Sequence, residues 1–240
     1  MKRPLWLKAL ALAAALGTAA AAADAQNRKA APARKAAAAR DWTRNVVLTP
    51  EGGYRMGNPD ARVKLVEYGS LTCPHCAEFS NSAKGPLAAQ VRTGKVSFEF
   101  RNFVLNGVDA TASLLARCAG PAGFFRLTES FYATQPQWTA TMTGLSKAQQ
   151  DEIGAVPEAQ RLVKMADVAG LTQLAAKSGL PPQKARACLL DPAALQRLAD
   201  MRGAAASAGV RSTPTFLVNG TMVHAHSWAE LQPLIQKAGG

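Results

Sequence analysis

The sequence predicts an α/β fold in which a helical block is inserted between a βαβ half and a ββα half. Residues 63–68 and 96–105 are rich in β-branched and aromatic side chains, which is typical of strands, and residues 215–218 form a third such run. Between these halves, about 106–208, the chain has many Ala, Leu, Gln and Arg residues and little strand signal. Neither half of the sheet would be complete alone, so we predict a single domain over 43–240.

The first half of the domain begins with a predicted short strand over 45–48. After the strand 63–68, residues 77–90 predict a helix, and the strand 96–105 then completes the βαβ unit. Pro86 lies inside that helix. Because proline removes a backbone hydrogen bond and clashes with the preceding turn, we expect it to kink or split the helix.

Prolines divide the inserted block into several predicted helices, because proline is tolerated in the first turn of a helix but not in its interior. They are Pro121, Pro136, Pro157, Pro181, Pro182 and Pro192. After the block, an Asn-Gly hairpin turn joins the strand 215–218 to a return strand over 221–224. Ser227 fits a helix N-cap, and residues 228–237 predict a closing amphipathic helix.

The amino terminus has the pattern of a secretory signal peptide. Lys2 and Arg3 precede an apolar stretch, and small residues around Ala25 form a cleavage site. We therefore predict that residues 1–25 direct export to the periplasm and are removed. The alternative is an uncleaved membrane anchor over 5–23, which is near the minimum length for a span but rich in alanine.

The net charge of +12 raises nucleic acid, anionic membranes and acidic proteins as partners. Much of this charge lies outside the predicted domain, because the net charge over 41–240 is only +5. Residues 27–40 contain no large apolar side chain, so the segment 26–42 is predicted to be a flexible tail. The remaining basic residues are scattered and form no run interleaved with aromatic residues, so nucleic-acid binding is not predicted.

The stretch Cys73-Pro74-His75-Cys76 lies between a predicted strand and a predicted helix. Pro74 suits the first turn, and Cys73 then lies at the helix N-terminus, where unpaired amides and the helix dipole favour an anion. A protonated or hydrogen-bonding His75 would favour the thiolate further. Such surroundings lower a thiol pKa from about 8.5 to roughly 3.5–7.5, which makes the disulfide a stronger oxidant. Cys76, one turn into the helix, is expected to be more buried and to resolve mixed disulfides.

The alternative for this stretch is half of a zinc site, which needs two further ligands. The other two cysteines, Cys118 and Cys188, stand alone rather than as a second CxxC pair. The secretory signal also favours disulfide chemistry. The sequence therefore predicts a redox site and no metal site.

Taken together, these motifs resemble the thioredoxin superfamily, and more closely its DsbA-like periplasmic thiol oxidases. The Pro-His dipeptide between the two cysteines is typical of that group. Thr213-Pro214, directly before the strand 215–218, matches the cis-proline loop of the family, and the helical block matches its inserted helical domain. The resemblance covers roughly 43–238 and implies a thioredoxin fold.

The resemblance also implies roles for single residues. Glu67, six residues before Cys73, matches a buried acid that helps to move the proton of the buried cysteine, although the strand pattern alone leaves a solvent-facing carboxylate equally open. Thr213 and Pro214 would face the disulfide and pair with an extended substrate. Two positions depart from the best-known oxidases, which carry Val in place of Thr213 and an acid in place of Ser80.

Cys118 and Cys188 both lie in predicted helices of the insertion. They are either free buried cysteines or a second, structural disulfide. An oxidising compartment and an even number of remaining cysteines favour the disulfide. Pairs of this kind also occur in some DsbA-like relatives.

The resemblance implies a periplasmic thiol:disulfide oxidoreductase that oxidises newly exported proteins with free cysteines through the Cys73–Cys76 disulfide. A membrane redox partner would reoxidise the site, and no dissociable cofactor is expected because the cysteines carry the electrons. One alternative is an isomerase or reductase of the same superfamily. Such isomerases usually carry a dimerisation domain, for which residues 27–56 are too short, so a monomer is predicted. The other alternative is a thiol chaperone or copper-binding module that uses the same two cysteines.

Overall fold

The computed structural model describes residues 40–240, which form one compact unit. The predicted signal peptide, 1–25, lies outside the described residues, as do the alternative membrane anchor and residues 26–39 of the predicted tail. Within the described part of the chain, no helix is both long enough and apolar enough to cross a membrane.

A mixed sheet lies at the centre of this unit. Its strands are β1 (Val46–Leu48), β2 (Tyr54–Gly57), β3 (Val63–Gly69), β4 (Val96–Asn102), β5 (Thr215–Val218) and β6 (Thr221–Val223). Their spatial order is β1-β2-β4-β3-β5-β6; β3 and β4 are parallel, and all other neighbours are antiparallel. Helix α1 (Pro74–Arg92) connects β3 to β4, and a helix over Trp228–Lys237 follows β6. The predicted βαβ and ββα halves are therefore both present.

The helical block separates these two halves, as predicted. Its helices are α2 (Gly107–Cys118), α3 (Gly120–Ala133), α4 (Gln135–Thr143), α5 (Lys147–Ala155), α6 (Glu158–Val168), α7 (Leu171–Lys177), α8 (Pro182–Leu189) and α9 (Pro192–Ser207), and the closing helix is α10. Proline occupies the first turn of α3, α4, α8 and α9 and the N-cap of α6. The prediction that prolines mark the helix starts is therefore confirmed.

Helix α1 differs from its prediction, because it continues through Pro86 without a break. Pro86 is exposed, whereas Ala83 and Leu87 on the adjacent face of the helix are buried in the core. Packing of this apolar face offsets the loss of one hydrogen bond at the proline, since tertiary contacts supply most of the stability of a helix in a protein. The predicted split is therefore wrong.

Two predicted boundaries also shift. The strand predicted over 96–105 ends at Asn102, and the next residues lead into α2. At the amino end, a short 3-10 helix spans Trp42–Arg44 and is capped by the side chain of Asp41. Trp42, assigned to the flexible tail from composition, therefore belongs to the folded unit.

One face of the sheet forms the main core, and it includes the predicted acid. Val63, Leu65 and Glu67 alternate along β3 and are each at most 2% exposed. Glu67 pairs in register with Phe100 of the neighbouring strand β4, which is also buried. Glu67 therefore points into an apolar layer, and the alternative of a solvent-facing carboxylate is wrong.

A disulfide joins Cys118 at the end of α2 to Cys188 in α8, with the two Cα atoms 6.1 Å apart. The separation lies within the usual range for a bridge. Of the two alternatives for this pair, free buried cysteines or a structural disulfide, the structure shows the disulfide. It connects two helices of the insertion that are 70 residues apart in sequence.

The double variant Cys118→Ala/Cys188→Ala is expected to lower the free energy of unfolding by about 2–4 kcal/mol, because the bridge limits the unfolded chain over a long loop. Urea denaturation measures this change. The comparison is cleanest in a Cys73→Ala/Cys76→Ala background, where only one disulfide can respond to reductant. Equal stabilities with and without the bridge would contradict the prediction.

Candidate active site

The Cys-Pro-His-Cys stretch lies where the sheet meets its first helix. Strand β3 ends at Gly69, and Cys73 is the N-cap of α1 with an extended backbone (φ −81°, ψ 120°). Pro74 occupies the first helical turn, where its missing N–H costs no hydrogen bond. Both cysteines are free thiols; Cys73 is 6% exposed and Cys76 is fully buried. The prediction that Cys76 is the more buried partner is confirmed.

The surroundings of Cys73 stabilise its thiolate. The Cys76 thiol has the largest effect, and although burial opposes it, the Thr213 side chain and the main-chain N–H groups of Cys76 and His75 add to it. Together they lower the pKa of Cys73 to about 5. Cys73 is therefore a thiolate at neutral pH, as expected for a sulfur at a helix N-terminus.

Cys76 has the opposite character. Burial raises the pKa of Cys76 well above its usual value, and the neighbouring Cys73 and the carboxyl of Glu67 raise it further. The reduced site thus holds one thiolate and one thiol. Cys73 is the sulfur that can attack or leave, and Cys76 is the sulfur that must be deprotonated to close the disulfide.

The imidazole of His75 lies beside Glu78 on the protein surface. Its Nδ1 lies 3.2 Å from Oε2 of Glu78, and the side chain is 70% exposed. The groups that lower the pKa of Cys73 do not include this ring, so the predicted contribution of the His75 side chain is not supported. The main-chain N–H of His75 stabilises the thiolate instead, because the N-cap position places the sulfur over the first amides of the helix.

Glu67 lies beneath the two cysteines in the core. Burial, followed by the negative charge of Cys73, raises the pKa of the Glu67 carboxyl well above its usual value. Its Oε1 has no hydrogen-bond partner among the described residues. The carboxyl therefore favours its protonated form, in which it holds a proton close to Cys76.

A cavity of about 240 Å³ borders Glu67 between α1 and α3. Its walls are mostly apolar and include Phe79, Phe98 and Phe100. Thr128, whose buried hydroxyl also has no partner among the described residues, lines the same cavity. Ser80, at the position where the best-known oxidases carry an acid, also lines this cavity. Because serine carries no charge, Glu67 is the buried acid that borders the cavity.

The Thr213–Pro214 peptide bond is cis, as predicted. The carbonyl oxygen of Thr213 lies 3.3 Å from Sγ of Cys73, so this loop faces the reactive sulfur. Strand β5 begins at the next residue, Thr215, and pairs with β3, which fixes the loop beside the helix N-terminus. The predicted pairing of this loop with an extended substrate stays a prediction.

Two residues of the insertion, Asp109 and Gln135, hold the loop 70–73 that leads from β3 to the helix, and the sequence did not predict either of them. Asp109 accepts hydrogen bonds from the Ser70 hydroxyl (2.6 Å) and the Leu71 N–H (2.9 Å). Gln135 donates to the carbonyl oxygens of Leu71 (2.8 Å) and Cys73 (2.9 Å). These contacts join residues 38 to 64 positions apart, and no spacing in the sequence signals them.

The alternative zinc site would need two ligands besides Cys73 and Cys76, and the other two cysteines are not available for this role. Cys118 and Cys188, the other two cysteines of the sequence, are bonded to each other. Within residues 40–240, no group of three His, Cys, Asp or Glu side chains is placed to hold a metal ion. The geometry of Cys73 and Cys76 fits disulfide chemistry instead, because their pKa values are shifted in opposite directions.

A thioredoxin family model matches residues 48–237, which include strands β2 to β6, the Cys-Pro-His-Cys stretch and the insertion. The chain belongs to the thioredoxin family. Among solved structures, this thioredoxin-family chain is similar to the protein-disulfide isomerase from Novosphingobium aromaticivorans. The two are 31% identical with a TM-score of 0.72, over 78% of this chain and 97% of the other.

Two further proteins extend this comparison. Wolbachia pipientis alpha-DsbA1 shares the fold, with a TM-score of 0.63 at 20% identity, over 80% of this chain and 93% of the other. A Rickettsia bellii protein with the provisional name protein-disulfide oxidoreductase is 28% identical over 185 residues, 76% of this chain and 63% of that protein. The chain spans about three fifths of the length of the curated relatives it matches. The predicted resemblance to disulfide oxidoreductases of the thioredoxin superfamily is confirmed.

Proposed function

We propose that this protein is a thiol-disulfide oxidoreductase that oxidises pairs of cysteine thiols in newly exported proteins. The asymmetry of its two cysteines carries the proposal. Stabilising the Cys73 thiolate stabilises the reduced site relative to the disulfide, so the disulfide readily accepts electrons. The names of the Rickettsia bellii and Novosphingobium aromaticivorans relatives support disulfide chemistry at this site.

The reaction begins from the Cys73–Cys76 disulfide. A substrate thiolate attacks Sγ of Cys73, forms a mixed disulfide and releases Cys76, which takes up a proton. A second thiolate of the substrate then attacks the substrate sulfur of the mixed disulfide and releases Cys73 as a thiolate. Two electrons pass from the substrate to the cysteine pair, and the substrate leaves with a new disulfide. The low pKa of Cys73 makes it a good leaving group in the second step.

The proposed place of this reaction is the periplasm. The charged start, apolar stretch and small residues of 1–25 support export through a signal peptide. A membrane redox partner would then return the reduced site to its disulfide, and proteins with free cysteines would be the substrates. No dissociable cofactor is part of the proposal, since the electrons reside on the two sulfurs.

A second candidate is isomerisation of wrongly paired disulfides. The Novosphingobium aromaticivorans relative is named as a protein-disulfide isomerase, and this chain carries Thr213 rather than Val before the cis-proline. Isomerisation starts from the reduced site, in which the Cys73 thiolate attacks a substrate disulfide. The two functions therefore differ in which form of the site starts the reaction.

The equilibrium of the Cys73–Cys76 pair with glutathione tests the proposal. A reduction potential near roughly −120 mV, as in DsbA, is expected, because the stabilised thiolate favours the reduced site. A potential near roughly −270 mV, as in thioredoxin, would rule out an oxidase.

The oxidised protein is also expected to convert a reduced peptide with two cysteines into its cyclic disulfide. The Cys73→Ala/Cys76→Ala variant is the control, because it retains the second disulfide and lacks the reactive pair. Refolding of a protein with scrambled disulfides separates the two candidates. Faster recovery with the reduced form than with the oxidised form would favour the isomerase.

A further inference from the structure

Polar side chains of the insertion hold the loop that leads from β3 to Cys73. Asp109, in the first turn of α2, accepts hydrogen bonds from Ser70 and Leu71. The hydroxyl of Tyr132 in α3 donates to the carbonyl oxygen of Ser70 over 3.1 Å. That same oxygen accepts the main-chain N–H of Cys73 over 3.2 Å. The position of Cys73 is therefore tied to helices outside the βαβ unit that contains it.

Gln135, the first residue of α4, makes the most direct of these contacts. Gln135 is 4% exposed, and its side-chain amide nitrogen donates to the carbonyl oxygens of Leu71 and Cys73. Leu71 is fully buried, and within residues 40–240 its carbonyl oxygen has no other donor. Without the Gln135 amide, this carbonyl would be buried and unpaired, a state that proteins avoid by moving the chain toward water.

The second hydrogen bond of Gln135 reaches the reactive residue itself. The carbonyl oxygen of Cys73 accepts this bond and also the main-chain N–H of Ala77 (3.2 Å), and the two donors together fix the following peptide plane and so the ψ angle of 120°. An N-cap residue needs an extended backbone of this kind. The ring of Pro74 limits the next φ angle, so the two restraints together keep Sγ of Cys73 over the first amides of the helix.

We infer that Gln135 is a positioning residue for the redox reaction: it holds Cys73 in the N-cap geometry that favours its thiolate. The helical insertion thereby becomes a determinant of the reactivity of the cysteine pair. The inference rests on the proposed function, because it concerns the same two cysteines. Gln135 acts through the main chain of Cys73 and transfers neither a proton nor an electron.

The variant Gln135→Met tests this inference, because methionine has a similar length and volume but no donor. The pKa of Cys73 in the reduced protein is expected to rise by about one unit, as measured from the pH dependence of thiolate absorbance. The equilibrium constant for oxidation of glutathione by the disulfide is expected to fall about tenfold, since one pKa unit corresponds to a factor of ten. A merely structural role would lower the stability without moving either value.

Gln137→Met is the matched control, because Gln137 is exposed on the same helix. A folded Gln135→Met protein whose two values equal those of Gln137→Met would overturn the inference. If Gln135→Met does not fold, Gln135→Asn is judged by the same two values, since its shorter amide cannot reach both carbonyl oxygens. The titration of Cys73 needs no substrate. A wild-type protein that fails to oxidise a dithiol peptide therefore contradicts the proposed function but leaves the result on Gln135 interpretable.

Discussion

Replacing Cys73 with serine is expected to abolish dithiol oxidation, with the rate falling by about a thousandfold or more, to that of the uncatalysed reaction. The serine hydroxyl cannot form a disulfide, and Cys76 cannot take over. Cys76 is fully buried and its pKa is raised well above the usual value, so it offers neither access nor a thiolate. Oxidation of a dithiol peptide, followed by loss of free thiol, measures the effect.

Cys76→Ser is expected to behave differently, because it keeps the reactive sulfur. Its Cys73 thiolate can attack a substrate disulfide, but no second sulfur is present to resolve the product. A stable mixed disulfide with one substrate per protein is expected, visible by mass spectrometry and cleaved by reductant. The Cys118→Ala/Cys188→Ala variant serves as a control that retains the active pair. A Cys73→Ser protein with a tenth or more of the wild-type rate would contradict the assignment of Cys73.

Alkylation gives an independent check on the two cysteines in the reduced wild-type protein. Cys73 is expected to react with iodoacetamide at neutral pH and to lose reactivity with a midpoint at pH about 5, where its thiolate becomes protonated. Cys76 is expected to remain unmodified over the same range, because burial raises its pKa and limits access. The attacking role of Cys73 and the resolving role of Cys76 thus follow from the lower pKa of Cys73 and the deeper burial of Cys76.

The local parts of this site are predictable from sequence. A strand pattern, a Cys-Pro pair and a helical pattern in succession place Cys73 at an N-cap, because each signal depends only on near neighbours. Prolines mark the helix starts in the insertion for the same reason. Pro86 is the exception, because its helix is held by burial of Ala83 and Leu87 in the core, which a local rule does not include.

The non-local parts are not predictable in this way. The alternation along β3 leaves two possible inner faces, and the pairing of Glu67 with Phe100 on β4 decides between them. The contact of Gln135 with Cys73 depends on how α4 packs beside a loop 62 residues earlier in the chain. His75 shows the converse, because it lies two residues from Cys73 and yet its ring makes its hydrogen bond to Glu78.

Replacing Glu67 with glutamine is expected to slow dithiol oxidation by about a hundredfold at neutral pH, within the range typical of lost general acid–base catalysis. When a substrate thiolate attacks Cys73, the buried Cys76 sulfur leaves with a negative charge and needs a proton. The raised pKa of Glu67 keeps a proton beside it, whereas the glutamine amide has none to give. Stopped-flow measurement of mixed-disulfide formation follows this step.

The same variant is expected to change how stability depends on pH. In the oxidised protein neither Cys73 nor Cys76 titrates, so the difference between the wild type and Glu67→Gln reports on the Glu67 carboxyl. Burial raises its folded pKa above the ordinary value of 4.5. Between the two pKa values the folded state therefore holds a proton that the unfolded state has lost. The contribution of Glu67 to the free energy of unfolding consequently falls as pH rises from about 4.5 towards the folded pKa, with a limiting slope of about 1.4 kcal/mol per pH unit for one proton.

Glu67→Gln removes this titration, so the variant is expected to gain stability relative to the wild type as pH rises through that window. Urea denaturation at several pH values gives the difference. Glu152→Gln is the control, because Glu152 is exposed and its carboxyl has similar access to water in both states. If the wild type and Glu67→Gln show parallel stabilities from pH 4 to pH 8, Glu67 is not protonated in the folded oxidised protein, and the proton that Cys76 receives must come from another group.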